Sequence, residues 1–427
     1  MSQSNLHKEE ILNKTKPFSI SKQLVMQAWK LVKENDGSAG VDQQSIDDFE
    51  TNLKGNLYKI WNRLSSGTYF PPPVKAVPIP KKSGGERILG VPSVSDRVAQ
   101  MVVKLIIEPC VEPHFLPDSY GYRPKKCALD AVGITRTRCW KYDWVVEFDI
   151  KGLFDNIDHN LLMKAVRKHT NNKWVLLYIE RWLKTPMQLP DGSLQEKTIG
   201  TMQGGIISPV LSNLFLHYVF DLWMTKQYPN LPWCRYADDG LVHCKTEQQA
   251  KQMFEALSKR FEECLLELHP TKSKIVYCKD GKRRRKYSNT KFTFLGYDFC
   301  RRSAKNTKDN IMFLSFNAAA SHAAKKSMRA KIKETIKNIG THKNLNEVAH
   351  EVNPILRGWI NYYGKYQKSA LCPVFRHFNL SLIRWIMRKF KVFKGYKTKA
   401  AIFLEGLLRK QPKLFAHWAN GFTGGFA

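Results

Sequence analysis

The sequence has nine cysteines but no C-x-x-C pair and no regular cysteine spacing. That excludes a zinc ribbon and a disulfide framework, and it predicts reduced thiols in a cytosolic compartment. No apolar run approaches the roughly 18 residues that a membrane helix needs. The best candidate, "MVVKLIIEPCV", is broken by Lys104 and Glu108. The opening "MSQSNLHKEE" is polar, so no secretory signal is expected. There is no internal repeat and no low-complexity tract. Acidic residues are scarce where basic ones are dense. Residues 281–427 hold 31 Lys/Arg and 6 Asp/Glu, so +25 of the net charge of +32 lies in the last third of the chain. A field that one-sided implies a polyanionic partner, nucleic acid. Aromatic residues interleave with the charges in "RGWINYYGKYQK" and "RWIMRKFKVFKGYK", and stacking beside phosphate contacts is how RNA and single strands are held.

At 427 residues with 43% hydrophobic content, the chain can bury a sizeable core and fits two or three domains. Residues 19–68 carry helical spacing around the turn-like "ENDGSAGVD". Residues 69–92 read as strand, Ser-Gly-Gly turn and strand, and 93–112 as helix. "WVVEFDIKGLFDNIDHN" opens as an apolar strand and becomes helical, and helices follow to about residue 187. "QLPDGSLQEKTIGT" reads as a hairpin at Asp191-Gly192. "GGIISPVLSNLFLHYVFDLWMTK" reads as one long helix, "CRYADDGLVHC" as one strand, 247–268 as helix, and 273–279 and 292–300 as strands. Residues 301–312 are the nearest thing to a linker. Beyond about residue 315 the pattern is helical, broken at Pro354, Pro373 and Pro412.

In "WCRYADDGLVHC" two adjacent aspartates, Asp238 and Asp239, stand in an otherwise buried segment. Neighbouring like charges repel, and an unpaired buried carboxylate costs several kcal/mol or takes up a proton. Asp149 in "VVEFDI" occupies a similar position on another strand. Taken singly, each aspartate also fits a turn or a helix cap. If the two strands are neighbours, all three carboxylates converge and a hard cation must be present. Mg²⁺ suits oxygen ligands and keeps substrate phosphates in its shell. A pair of such ions can activate an attacking oxygen and stabilise the leaving one in phosphoryl transfer.

Nine motifs in order extend this constellation: "GSAGVD", "IPKKSGGERILGVPSVSDR", "SYGYRP", "FDIKGLFDNIDH", "GTMQGGIISPVLSN", "RYADDGLV", "LHPTKSKI", "FLGYDF" and "NPILRGWINYY". Together they resemble the reverse transcriptases, and within them the bacterial group II intron-encoded reverse transcriptase/maturases. The resemblance covers nearly the whole chain. It implies an α+β fold, a right-hand polymerase whose fingers and palm carry antiparallel sheet around a ferredoxin-like palm core, followed by an α-helical thumb/maturase domain. The implied boundaries are an N-terminal extension and start of the fingers at 1–68, fingers and palm at 69–300 and thumb/maturase at 301–390. A basic tail at 391–427 would be a possible DNA-binding remnant.

Position by position, the resemblance makes Asp149, Asp238 and Asp239 the catalytic metal-binding carboxylates, with the Ile150 carbonyl as an added ligand for two Mg²⁺ ions. Lys81 and Arg87 would hold the nucleotide triphosphate, a task that suits a point charge and a forked guanidinium. Phe154 would be the steric gate against a ribose 2′-hydroxyl, Gln203 would line the nucleotide pocket, and Lys272 would lie near the triphosphate. Arg357, Trp359, Tyr362, Tyr363 and Lys365 would contact RNA. One departure is Met202, where the family usually has proline. The expected partners are group II intron RNA, an RNA template with a DNA primer, dNTPs and target DNA, with no membrane. The expected location is the bacterial cytoplasm, with nucleoid association during action on DNA. No Cys/His cluster follows "LFAHWANG", so no endonuclease is expected. A domesticated polymerase in DNA repair or phage defence, or a splicing-only maturase, would share most of these motifs.

Overall fold

The opening helices have their start and stop signals written beside them. In the computed structural model, which describes residues 16–80, 84–305, 310–424 and 426, helix Lys22–Asn35 starts where the Ser21 hydroxyl accepts the Leu24 N–H. Helix Ile46–Thr51 opens with a capping box between Ser45 and Asp48, and Leu53–Ser66 stops at left-handed Gly67. These caps satisfy N–H groups that a first helical turn leaves unpaired. The apolar stripes Val25, Ala28, Trp29, Val32 and Leu57, Ile60, Trp61, Leu64 are buried and pack on helix Val94–Val111.

In chain order the strands up to residue 280 are β1 (Val74–Pro80), β2 (Glu86–Val91), β3 (Trp144–Asp149), β4 (Met187–Gln188), β5 (Leu194–Gln195), β6 (Trp233–Tyr236), β7 (Asp239–Cys244) and β8 (Lys274–Tyr277). One sheet has the order β2-β1-β4-β5. Its β1–β2 hairpin is antiparallel with Ile79 opposite Arg87, and β4 joins β1 in parallel. A second sheet has the order β6-β7-β3-β8, which makes the strands bearing Asp149 and Asp239 neighbours. The chain forms two compact units. One comprises the chain through Cys127 with Phe148–Gly240 and Gln252–Ser273; the other comprises Ala128–Glu147, Leu241–Lys251 and the chain from Lys274.

Four local readings are corrected. "CRYADDGLVHC" is a hairpin rather than one strand, because Ala237 turns the chain at φ 55° between β6 and β7. The long helix after Gly205 is interrupted. Helices Ser208–Leu216 and Leu222–Gln227 flank a π-helical turn at His217–Asp221, a wider turn that often marks functional sites. Residues 301–305 and Met312 are strand rather than linker. Strand β9 (Phe292–Phe294) leads through Leu295-Gly296 into β10 (Tyr297–Lys305), which pairs antiparallel with β11 (Met312–Ala320). Pro354 lies inside helix Leu345–Tyr363 without ending it, whereas Pro373 sits in the first turn of helix Cys372–Lys389.

The helices after β11 share one core. It combines Met328, Ile332 and Ile336 of helix His322–Asn338 with Val348, Val352 and Leu356, and with Phe378, Leu382 and Trp385. Helix Lys397–Lys410 adds Leu404, and Phe415 and Trp418 close the cluster. Residues 391–424 are therefore folded into this core rather than trailing from it as a tail. Among the described residues no disulfide joins the cysteines, and no helix is long and apolar enough to cross a membrane.

Candidate active site

The carboxylates meet at the ends of β3, β6 and β7. The Asp149 carbonyl accepts the His269 N–H at 2.8 Å, and its N–H donates to the Ser273 hydroxyl at 3.2 Å. The Ile150 N–H donates to the Asp238 carbonyl at 3.4 Å, which joins the two strand ends directly. Asp149, Ile150 and Asp238 face one cavity of about 1030 Å³, and Arg87, Gln203 and Lys272 line it too. Arg87 is exposed on β2 opposite Ile79. Lys81 lies outside the described residues.

Electrostatics at this point are unfavourable for a protein alone. Burial, then the adjacent Asp238 and Asp149 charges, push the Asp239 carboxyl up to about 7, and it shares a hydrogen bond with Asp149. Burial and the Asp149 charge raise Asp238 as well. The countercharge is Lys272, whose ammonium stands 2.8 Å from the Asp149 carboxylate. Burial would lower that ammonium, but its bond to Asp149 and the charges of Asp149, Asp239 and Asp238 hold it above its usual range. Lys272 thus sits on the carboxylates, where sequence placed it near a triphosphate. Among the described residues no three His, Cys, Asp or Glu side chains are already gathered as one ligand set. The lysine occupies the place of positive charge that a divalent cation fits, and these hard oxygen donors suit such a cation.

The Gln203 segment is placed from behind. Asp96 is fully buried and accepts from Tyr69, Trp182 and Gln100 at 2.8, 2.8 and 2.9 Å. Gln100 then accepts the Ile206 N–H at 2.8 Å. Gly90 N–H donates to the Gln203 carbonyl at 2.7 Å. A Cβ on Gly204, which lies at φ 112°, would fall 2.4 Å from the Gly90 carbonyl, so only glycine fits there. Met202 is buried against this approach. Gln203 itself donates to Asp155 at 2.9 Å, and neighbouring Phe154 is half-buried.

Sequence reasoning passes over the residue that organises the turn between β6 and β7. Arg235 is fully buried and makes a two-pronged ion pair with Asp221 at 2.7 and 2.6 Å. It also donates to Asn213, to the Ser119 hydroxyl and to the Ala237 carbonyl. The last bond, at 3.1 Å, holds the left-handed residue from which Asp238 and Asp239 project. Burial pushes the Asp221 carboxyl up, with the Arg235 guanidinium opposing it. The signal is present in "WCRY", since an arginine inside an apolar strand must find a partner.

The comparison with known proteins decides the family. Residues 79–299 match the model described as reverse transcriptase (RNA-dependent DNA polymerase). The chain belongs to the reverse transcriptase family. Residues 325–401 of this reverse transcriptase match the group II intron maturase-specific domain, so the polymerase region is followed by maturase-type helices. Protein YkfC of Escherichia coli (strain K12) is 30% identical over 62% of this chain and 77% of its own length. Group II intron-encoded protein LtrA of Lactococcus lactis subsp. cremoris is 32% identical over 51% of this chain, which covers 36% of LtrA. The putative COX1/OXI3 intron 1 protein of Saccharomyces cerevisiae is 26% identical over 53% of this chain and 27% of its own length. Members of the family use divalent metal ions, in keeping with the carboxylates and the cavity beside them.

The RNA-contact candidates divide. Tyr362 and Tyr363 pack their rings on Tyr297 at 5.6 Å each. The Tyr362 hydroxyl donates to the Leu295 carbonyl, and Tyr297 donates to the Tyr362 carbonyl. Trp359 is partly buried against the helical core. Arg357 and Lys365 are exposed.

Proposed function

We propose that this reverse transcriptase extends a DNA primer on an RNA template with two Mg²⁺ ions, and that its basic helical region grips group II intron RNA to assist splicing and retrohoming into target DNA. The observation that carries the reading is the meeting of Asp149, Asp238 and Asp239 beside a cavity that also presents Arg87 and Gln203. Asp149, Asp238, Asp239 and the Ile150 carbonyl would hold the ions. Bound there, divalent ions supply the charge that makes the primer 3′-hydroxyl nucleophilic and stabilises the leaving pyrophosphate. Arg87 grips the dNTP phosphates with its forked donors, and Lys81 adds a second charge. Gln203, steadied by Asp155, borders the nucleotide. Phe154 excludes the 2′-hydroxyl by a clash. On this reading the protein acts in the cytoplasm, with its nucleic-acid partners.

Polymerisation and splicing assistance are separable on this reading. The intron RNA performs its own transesterifications, so Asp149→Asn is expected to stop cDNA synthesis and to leave protein-assisted splicing intact. Splicing of the cognate intron at low Mg²⁺ with folded variant protein measures this. A folded, RNA-bound Asp149→Asn protein that fails to support splicing would overturn the division of labour.

RNA affinity is expected to fall steeply with salt, by a slope of about −0.7 per phosphate contact. Removing exposed Arg357 and Lys365 together should flatten that slope by about 1.4 and reduce splicing more than primer extension on a simple template. Filter binding across a salt series reads the slope. An unchanged slope would take both residues off the RNA.

A further inference from the structure

Two residues other than glycine near the carboxylates have left-handed backbones: Ala237, at φ 55°, and Tyr122, at φ 56°. For a bulky aromatic residue that conformation is costly, and it persists only where the surroundings impose it. The surroundings of Tyr122 do impose it. The Ser119 hydroxyl accepts from Arg235 at 2.8 Å, and the Tyr120 N–H donates to the Arg235 carbonyl at 2.9 Å. The Gly121 carbonyl accepts from the buried Asn213 amide at 2.6 Å. A Cβ on Gly121 would stand 2.4 Å from the Ala237 nitrogen, so the two loops are in backbone contact. Residues 119–121, which lead into Tyr122, are thereby locked to the turn that carries Asp238 and Asp239.

Core packing does not repay this strain, because Tyr122 is 51% exposed. Its ring instead stands edge-on to Phe154, with centroids 6.4 Å apart and planes at 76°, a favoured aromatic geometry. Burial raises the Tyr122 hydroxyl, the Asp238 and Tyr236 charges add to that, and Arg87 opposes them. The ring therefore stands edge-on to the proposed gate, within electrostatic reach of Asp238 and Arg87.

We propose that Tyr122 is a specificity-determining residue of this polymerase. Its ring buttresses Phe154 at a fixed tilt, so that the clash with a ribonucleotide 2′-hydroxyl cannot be relieved by ring rotation. Tyr122 is a positioning residue acting through Phe154, and the inference rests on the nucleotide site proposed above. A lone aromatic gate can swing aside; an edge-on partner that follows directly on residues bonded to the 235–237 turn removes that freedom.

The test is incorporation of rNTP against dNTP on one RNA template, with kcat/KM for each. Tyr122→Asn removes the ring but suits a left-handed backbone, and Tyr122→Phe keeps the ring. The asparagine variant is expected to raise the rNTP/dNTP ratio at least about tenfold, with a smaller loss of dNTP incorporation, and the phenylalanine variant to retain wild-type discrimination. Added to Phe154→Ala, Tyr122→Asn should change the ratio no further, since the two act as one unit. An unchanged ratio in Tyr122→Asn, or full additivity with Phe154→Ala, overturns the buttress. An unchanged ratio in Phe154→Ala alone overturns the placement of the nucleotide instead. If melting shows that Tyr122→Asn does not fold, Tyr122→Gly, which relieves the backbone strain, takes its place: a raised ratio supports the buttress and an unchanged one overturns it.

Discussion

Replacing Asp238 and Asp239 by asparagine is expected to lower primer extension about 10³-fold or more and to leave RNA affinity nearly unchanged. Asparagine keeps the shape of each side chain but cannot supply an anionic ligand, and losing metal ligands removes several kcal/mol of transition-state stabilisation. The fold should tolerate the change. Burial and mutual repulsion already hold Asp239 up at about 7 and raise Asp238, so neutral amides relieve a repulsion built into the fold. Thermal melting should show equal or higher stability alongside the lost activity. The RNA-binding charge is concentrated elsewhere, in residues 281–427. Primer extension within tenfold of the unaltered protein would remove these aspartates from the chemistry.

The second large effect is on stability. Asp221→Ala should cost about 3–5 kcal/mol, because breaking a buried pair leaves its partner charged and unsolvated. Here the partner is Arg235, with both side chains fully buried. The remaining bonds of Arg235 to Ser119, Asn213 and Ala237 cannot neutralise the guanidinium. Denaturant unfolding measures the loss. Asn213→Ala removes the acceptor for Arg235 and the donor to Gly121 but no charge, and should cost less. A loss below about 1 kcal/mol for Asp221→Ala would mean that the pair is not a structural anchor.

What can be read from sequence follows from strong local periodicity. The opening helices, the β1–β2 hairpin and the apolar β3 strand lie where spacing and turn residues place them, and Asp149, Asp238 and Asp239 do come together. The differences fall where a tertiary contact overrides the local pattern. Ala237 carries no turn signal, and its left-handed backbone is held by Arg235, whose own side chain is fixed by distant partners, and by the close approach of Gly121 from another stretch of the chain. The π-helical turn at His217–Asp221 lies inside an apolar helical run, and its last residue is the aspartate that meets Arg235. Strands β10 and β11 look like a linker and a helix in sequence, because Arg301, Arg302 and Lys305 mask the alternation and "FNAAA" suits either structure. The position of Lys272 in a motif cannot reveal its contact with a residue 123 positions away.

The bonds of Arg235 also bear on how such an enzyme can change. Ser119, Asn213, Asp221 and Ala237 each meet the same guanidinium, although they lie in separate stretches of the chain. A recombinant that takes "SYGYRP" from one parent and "RYADD" from another inherits half of a lock. Libraries aimed at altered nucleotide choice would therefore do well to exchange these stretches as a set.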